Sequence, residues 1–144
     1  MKKLFSWKYS DASLNFSLFI FRLALGGLMI PHGYGKLKNF GKMLDDGKKG
    51  LPMGWKSPLS MLDATTSLSL TIFAEFFCAC FIVLGLLTRL ATILLIIAMS
   101  VAVYVGHGGR IFGDGSGAAL FLFGFLGLLF SGPGKISMDR LIGK

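Results

Sequence analysis

The sequence predicts an all-α integral membrane protein, a four-helix bundle running up-down-up-down with a long loop between helices 1 and 2. Three observations predict it. Of 144 residues, 53% are hydrophobic and only 15% charged, whereas a soluble domain carries about 25% charged residues to cover its surface. Four apolar stretches each approach the ~20 residues that a membrane-spanning helix takes. The connections between them are short except for the first. The whole chain, 1–144, reads as one such domain.

The net charge of +8 would point to nucleic acid in a soluble protein. Here the basic residues fall between and beyond the apolar stretches, where anionic headgroups attract them. No basic patch interleaves with aromatics, so the expected contact is membrane lipid and not nucleic acid.

The first helix is expected at about 14–35. The N-terminal MKKLFSWKYSDASLNFSLFIF has the charge and apolarity of a signal peptide, but Asp11 precedes the apolar stretch and no small-residue cleavage site follows, so it reads as a retained helix. The loop, about 36–65, begins charged and continues as LPMGWKSPLSML. That second half reads equally as a solvent loop or as a segment dipping back over the bundle. Helices at about 66–87 and 89–108 follow with almost nothing between them, which makes a tight antiparallel hairpin. A Gly-rich turn leads to a short, uncharged helix at about 115–131, stopped by Gly132-Pro133-Gly134. In that helix Gly117, Gly124, Gly127 and Ser131 predict a small face that lets a neighbour approach closely.

Cys78 and Cys80 stand two apart, about 200° around a helix, and so cannot readily bridge. They read as small apolar packing residues. Four spans put both termini on one side. The basic residues outside the spans divide seven against seven between the two sides, so the positive-inside rule ties. The N-terminal basic cluster, which meets the first helix first, favours a cytoplasmic side for the termini. The expected location is the bacterial inner membrane.

Arg22 stands inside the first apolar stretch and Glu75 is the only acid in any of the four. A charge at the centre of a span costs at least ~2.5–3.5 kcal/mol and is therefore turned inward and paired. Arg22 lies about eight residues into its stretch and Glu75 about nine into its own, so both are expected near mid-membrane as an ion pair. One reading makes this a structural lock between two helices. The other makes it the polar floor of a ligand or proton-handling site. His32 and His107 end helices 1 and 3 at the same surface, and Ser100, Tyr104 and His107 form an i, i+4, i+7 stripe. Together these residues predict one cavity with Arg22 and Glu75 at its base and Tyr104, His107 and His32 toward its mouth. Histidine carries protons near neutral pH. The two histidines alone make a weak metal or haem site, since no Cys, Asp or Glu is spaced to complete it, and no metal is expected.

Arg22 with the following Gly-Gly, HGYGKL at 32–37, AEFF at 74–77, LGLLTRLAT at 84–92 and GPGKISMD at 132–139 resemble, in that order, the helices and ending of the DoxX-like (DoxX/DoxD) family of small membrane proteins. The resemblance covers nearly the whole chain. It implies a four-helix membrane bundle and marks Arg22, His32, Gly33, Lys36, Glu75 and Arg89. The family takes its name from a subunit of a thiosulfate:quinone oxidoreductase, and other members are linked to redox and thiol-stress partners. Many relatives carry a glutamate at the start of the fourth helix, where this chain has GSGAAL with Ser116 and Gly117.

The first functional expectation is therefore the membrane subunit of a quinone-dependent oxidoreductase. Glu75, His107 and His32 would serve as the catalytic groups, and Arg22, Tyr104, Ser100 and Lys36 would bind the ligand. The chain has no flavin, nucleotide or iron–sulfur motif, so electrons would come from a partner protein. The second expectation is a non-catalytic membrane anchor or assembly partner for another protein or for further copies of the chain. A small transporter ranks last, because no internal repeat is evident.

Overall fold

The computed structural model describes residues 10–50 and 54–143. Residues 1–9 and 144, which include Lys2, Lys3, Lys8 and Lys144 of the orientation count, and 51–53 at the head of LPMGWKSPLSML lie outside the described residues. The described chain is helical, with no strand among the described residues.

Helix α1 spans Asp11–Lys38 and continues through Pro31 beyond the expected stop. A proline is tolerated inside a membrane helix because neighbouring groups re-satisfy the freed backbone. Helix α2, Phe40–Lys48, occupies the charged half of the expected loop. Helix α3, Ala64–Leu84, and helix α4, Thr88–Gly106, form the hairpin, and each contains a π-helical segment, Phe73–Cys78 and Ala102–Gly106. Helix α5 is Ser116–Ser131, and a single turn, α6, covers Met138–Leu141. Three helices, α1, α3 and α4, are long and apolar enough to cross a membrane, and α5 is a shorter apolar helix.

Each boundary has a local cause. Asp63 caps α3 by accepting from the Thr65 N–H at 3.0 Å. Gly85 ends α3 in the left-handed conformation at φ +69°, where only glycine is free of a Cβ penalty. Asp139 reaches across from α6 to cap α4, its two carboxylate oxygens accepting from Leu87 N and Thr88 N at 2.6 and 2.9 Å. In return Asp139 N donates to Gly85 O at 2.9 Å. The C-terminal segment is thus tied into the α3–α4 turn.

Helix α1 packs on α3 and α5, and α4 packs on α3 and α5. The core at their centre includes Met29, Ala79, Ile82, Leu95, Phe125 and Leu128. The closest approach of helices is at two glycines of α1. A Cβ on Gly26 would stand 2.8 Å from the Ala79 carbonyl oxygen, and one on Gly33 would stand 2.5 Å from Phe76 N. The small face expected on α5 is realised only in part. Gly124 receives Leu25, whereas Gly117 faces open space and Gly127 only meets the Phe21 ring at 3.9 Å. Cys78 is buried and Cys80 half-buried, both as free thiols.

Candidate functional site

The register of α1 on α3 decides where the buried charges go. Gly33 lies level with Glu75 and Phe76, Gly26 with Ala79 and Val83, and Arg22 with Gly85. Gly33 is eleven residues beyond Arg22, about 16 Å at 1.5 Å per residue. The expected Arg22–Glu75 pair is therefore not formed. Depth inferred by counting from the ends of two apolar stretches fails because α1 overhangs α3 by several turns at the terminal side.

Arg22 is instead buried at 1% exposure beneath the C-terminal segment. Its Nη2 donates to the Ile136 carbonyl, the Asp139 carboxylate acts on it electrostatically, and the Phe19 ring lies 5.9 Å from its guanidinium carbon. Asn15 holds the same segment, accepting from Lys135 N at 2.6 Å. These contacts make Arg22 a clasp between α1 and the chain that follows α5.

Glu75 pairs with Lys36. The Lys36 ammonium lies 2.5 Å from both carboxylate oxygens, with the Glu75 side chain 5% exposed and that of Lys36 25% exposed. Two features bring them together. Gly33 lets α1 close on the α3 backbone, so a lysine one turn later overlooks Glu75. The π segment Phe73–Cys78 then adds a residue to the turn that carries Glu75. Such insertions are frequent at functional sites.

The pair borders a cavity of about 500 Å³ between the loop-side halves of α3 and α4. Leu70, Phe73, Leu94 and Ile97 line its apolar walls, and Lys36, Lys56, Ser67, Thr71, Glu75 and His107 supply polar groups. The loop Gly54–Leu62 closes over it, as the dipping alternative for this segment required. Trp55 is fixed on three sides. Its backbone N donates to Met43 O of α2 at 2.7 Å, its Nε1 donates to Ser67 Oγ at 2.9 Å, and its ring lies 5.6 Å from the Lys36 ammonium. A cation against an indole face is stabilised by about 0.5–2 kcal/mol, more as water is removed.

His107 also lines this cavity. Its Nδ1 lies 2.8 Å from the Ala102 carbonyl. A carbonyl only accepts, so Nδ1 carries the proton and Nε2 of the neutral ring is left as an acceptor. The other expected members are elsewhere. Tyr104 is 69% exposed, and neither it nor Ser100 borders the cavity. The π segment Ala102–Gly106 breaks the i, i+4, i+7 spacing that would have kept Ser100, Tyr104 and His107 on one face. His32 is exposed and sits edge-on to Phe121 of α5, centroids 6.1 Å apart.

The cavity thus gathers Glu75, Lys36 and His107, and leaves out Arg22, His32, Ser100 and Tyr104. Sequence reasoning did not single out Trp55 or Ser67, although the Trp in an apolar loop was the available signal. Among the described residues, no group of three or more His, Cys, Asp or Glu side chains is placed to hold a metal. The arrangement offers a charge-compensated carboxylate, an ammonium, a histidine acceptor and apolar walls.

The DoxX family model matches residues 17–108, which include α1 from its second turn, the cavity and both π segments. No curated protein matches the chain, and no solved structure does.

Proposed function

Because the chain belongs to the DoxX family of membrane proteins, we propose that it is the membrane subunit of a quinone-linked redox system and that the cavity beside Lys36 and Glu75 is its quinone site. The observation that supports this reading most is the part-buried Lys36–Glu75 pair on the wall of a mostly apolar space. Small-molecule sites combine apolar walls with a few convergent polar groups and occupy about 300–1,000 Å³, and about 500 Å³ suits an aromatic head with the beginning of a tail. A quinone, when bound, supplies two-electron chemistry coupled to proton uptake or release.

The chain's own residues would do the rest. Lys36 would donate a hydrogen bond to a ring oxygen. Glu75 holds that ammonium in place. His107, with its tautomer set by Ala102, would accept a proton at Nε2 and pass it toward the loop surface. Trp55 excludes water above the pair, which strengthens each of these interactions. Electrons would come from a partner protein, of thiosulfate, sulfur or thiol-stress type. In this reading α1, α3, α4 and α5 all span the bacterial inner membrane as an up-down-up-down bundle, with both termini on the cytoplasmic side.

Mass spectrometry of the organic extract of gently purified protein tests the proposal. Near-stoichiometric quinone is expected from the wild type and none from a folded Lys36→Met variant. Equal amounts of quinone in the two, or lipid alone in both, would overturn it. A second reading, a membrane anchor or assembly partner, draws on the Arg22 clasp and on the exposed Leu120, Phe123 and Phe130 of α5. It gains if both extracts hold only lipid.

A further inference from the structure

The cavity has a second opening besides its loop-side roof. Helix α4 packs on α3 chiefly from Phe73 onward, and the loop-side halves of the two helices part around the space. Leu70, Phe73 and Ile97 line the cavity and are at the same time 55%, 46% and 56% exposed. Side chains that line the cavity and stay this exposed mark its rim. This gap lies within the two span-length helices, with Ile97 in the middle of Thr88–Gly106 and Leu70 and Phe73 in the loop-side half of Ala64–Leu84. At that depth the surroundings are hydrocarbon, not water. The roof also carries lining residues that are exposed, Lys56 and Leu59, but it is pinned at its centre. Trp55 is anchored to Met43 and Ser67, and α2 packs so tightly beneath it that a Cβ on Gly47 would stand 2.0 Å from the Trp55 carbonyl oxygen.

We propose that the cavity is loaded sideways from the bilayer, through the gap between Leu70 and Phe73 of α3 and Ile97 of α4, and that its ligand is a single-tailed amphiphile. The polar head lies beside Lys36 and Glu75 and the apolar tail leaves through the gap. The proposal rests on the cavity's being a ligand site, and it adds the route and the tail requirement. Through this gap a charged or strongly polar solute would have to pass between the apolar Leu70, Phe73 and Ile97 side chains. A ring with no tail leaves the gap unfilled and forfeits its burial, worth about 25 cal/mol per Å² of apolar surface.

Trp55 supplies the reporter. The chain has two tryptophans, Trp7 and Trp55, so Trp7→Phe leaves one beside the site. The protein is reconstituted in lipid and mixed by stopped flow with three probes. These are a benzoquinone with a decyl tail, the same ring without a tail, and a brominated dodecanol, whose bromine quenches indole. Both tailed probes should quench Trp55 saturably, and the tailless ring should need at least about tenfold more. Leu70→Phe with Ile97→Phe narrows the gap and should slow quenching by the tailed probes by about tenfold, and Ile97→Ala should speed it.

Quenching rates that ignore both gap variants would overturn the lateral route, as would a tailless ring that binds as well as the tailed one. If the brominated alcohol enters with the expected gap dependence and the tailed quinone does not bind, the route stands and the quinone reading falls. The Ile97→Ala arm removes bulk, so the test survives if the double phenylalanine variant fails to fold.

Discussion

Gly85→Ala is the sharpest test of the Arg22 clasp. Gly85 ends α3 at φ +69°, and a Cβ there would stand 1.9 Å from Arg22 Nη1 and 2.8 Å from the Ser137 Cβ. The left-handed backbone costs an L-residue about 1–2 kcal/mol. The Nη1 that would stand 1.9 Å away is the end of a flexible side chain, so the guanidinium swings out of its place. It then loses its charge-assisted bond to the Ile136 carbonyl, a further ~1.5–3 kcal/mol. The expected destabilisation is about 2.5–5 kcal/mol, read from unfolding in mixed detergent. Gly117→Ala, inside α5 where a Cβ meets nothing within 4 Å, serves as the unstrained control and should leave stability unchanged or raise it by up to about 1 kcal/mol. Combining Gly85→Ala with Arg22→Met removes the group that clashes, so the two losses should sum to less than their separate values. A Gly85→Ala loss below about 1 kcal/mol, or full additivity in the double variant, would refute the idea that Arg22 is held against the α3–α4 turn.

Three further outcomes are expected. Asp139→Ala removes the acceptor for Leu87 N and Thr88 N and should cost about 1–2 kcal/mol, with earlier proteolysis of the C-terminal segment as a second readout. Gly33→Val places side-chain atoms where Phe76 N lies 2.5 Å from the Cβ position. It should destabilise by about 1–3 kcal/mol and abolish ligand retention, because α1 can no longer bring Lys36 to Glu75; retained ligand in Gly33→Val would count against this register. Asp63, outside the spans, has its carboxyl held below the ordinary 3.8 by the Thr65 N–H above all. A depressed folded value means that its contribution is present above 3.8 and is lost as pH falls through the lower folded value. Asp63→Ala should therefore flatten the acid limb of the thermal stability profile below about pH 4 and leave the neutral region lowered by an amount independent of pH.

Much of the architecture was legible because hydropathy is a direct physical signal. Apolar stretches near 20 residues and the Gly-Pro-Gly stop pointed to the four apolar helices, whereas the tight turn expected at Leu87–Arg89 lies at Gly85–Leu87. Depth was not legible. Arg22 and Glu75 lie at similar distances into their apolar stretches, yet the contacts of Gly26 and Gly33 with Ala79 and Phe76 set α1 and α3 in a register that separates them. Counting residues places a side chain along its own helix but not against a neighbour. The two π segments were equally hidden, since no residue type announces an extra residue in a turn, and one of them removes Tyr104 from the face of His107. Lys36 was marked only by its place in HGYGKL, and its role as the partner of Glu75 follows from Gly33, three residues earlier. The loop tryptophan carried the remaining clue, because an indole in an apolar loop beside a span is placed to cover something.

Photolabelling tests the quinone site most directly. An azido-benzoquinone with a decyl tail is irradiated with the wild-type protein in lipid, and the labelled peptides are mapped. Labels confined to Trp55–Glu75 and Leu94–His107, competed by the unmodified quinone and lost in folded Lys36→Met, are the expected result. Labels spread over the lipid-facing surface of α1 and α5, or labelling that is unchanged in Lys36→Met, would contradict a quinone site in this cavity.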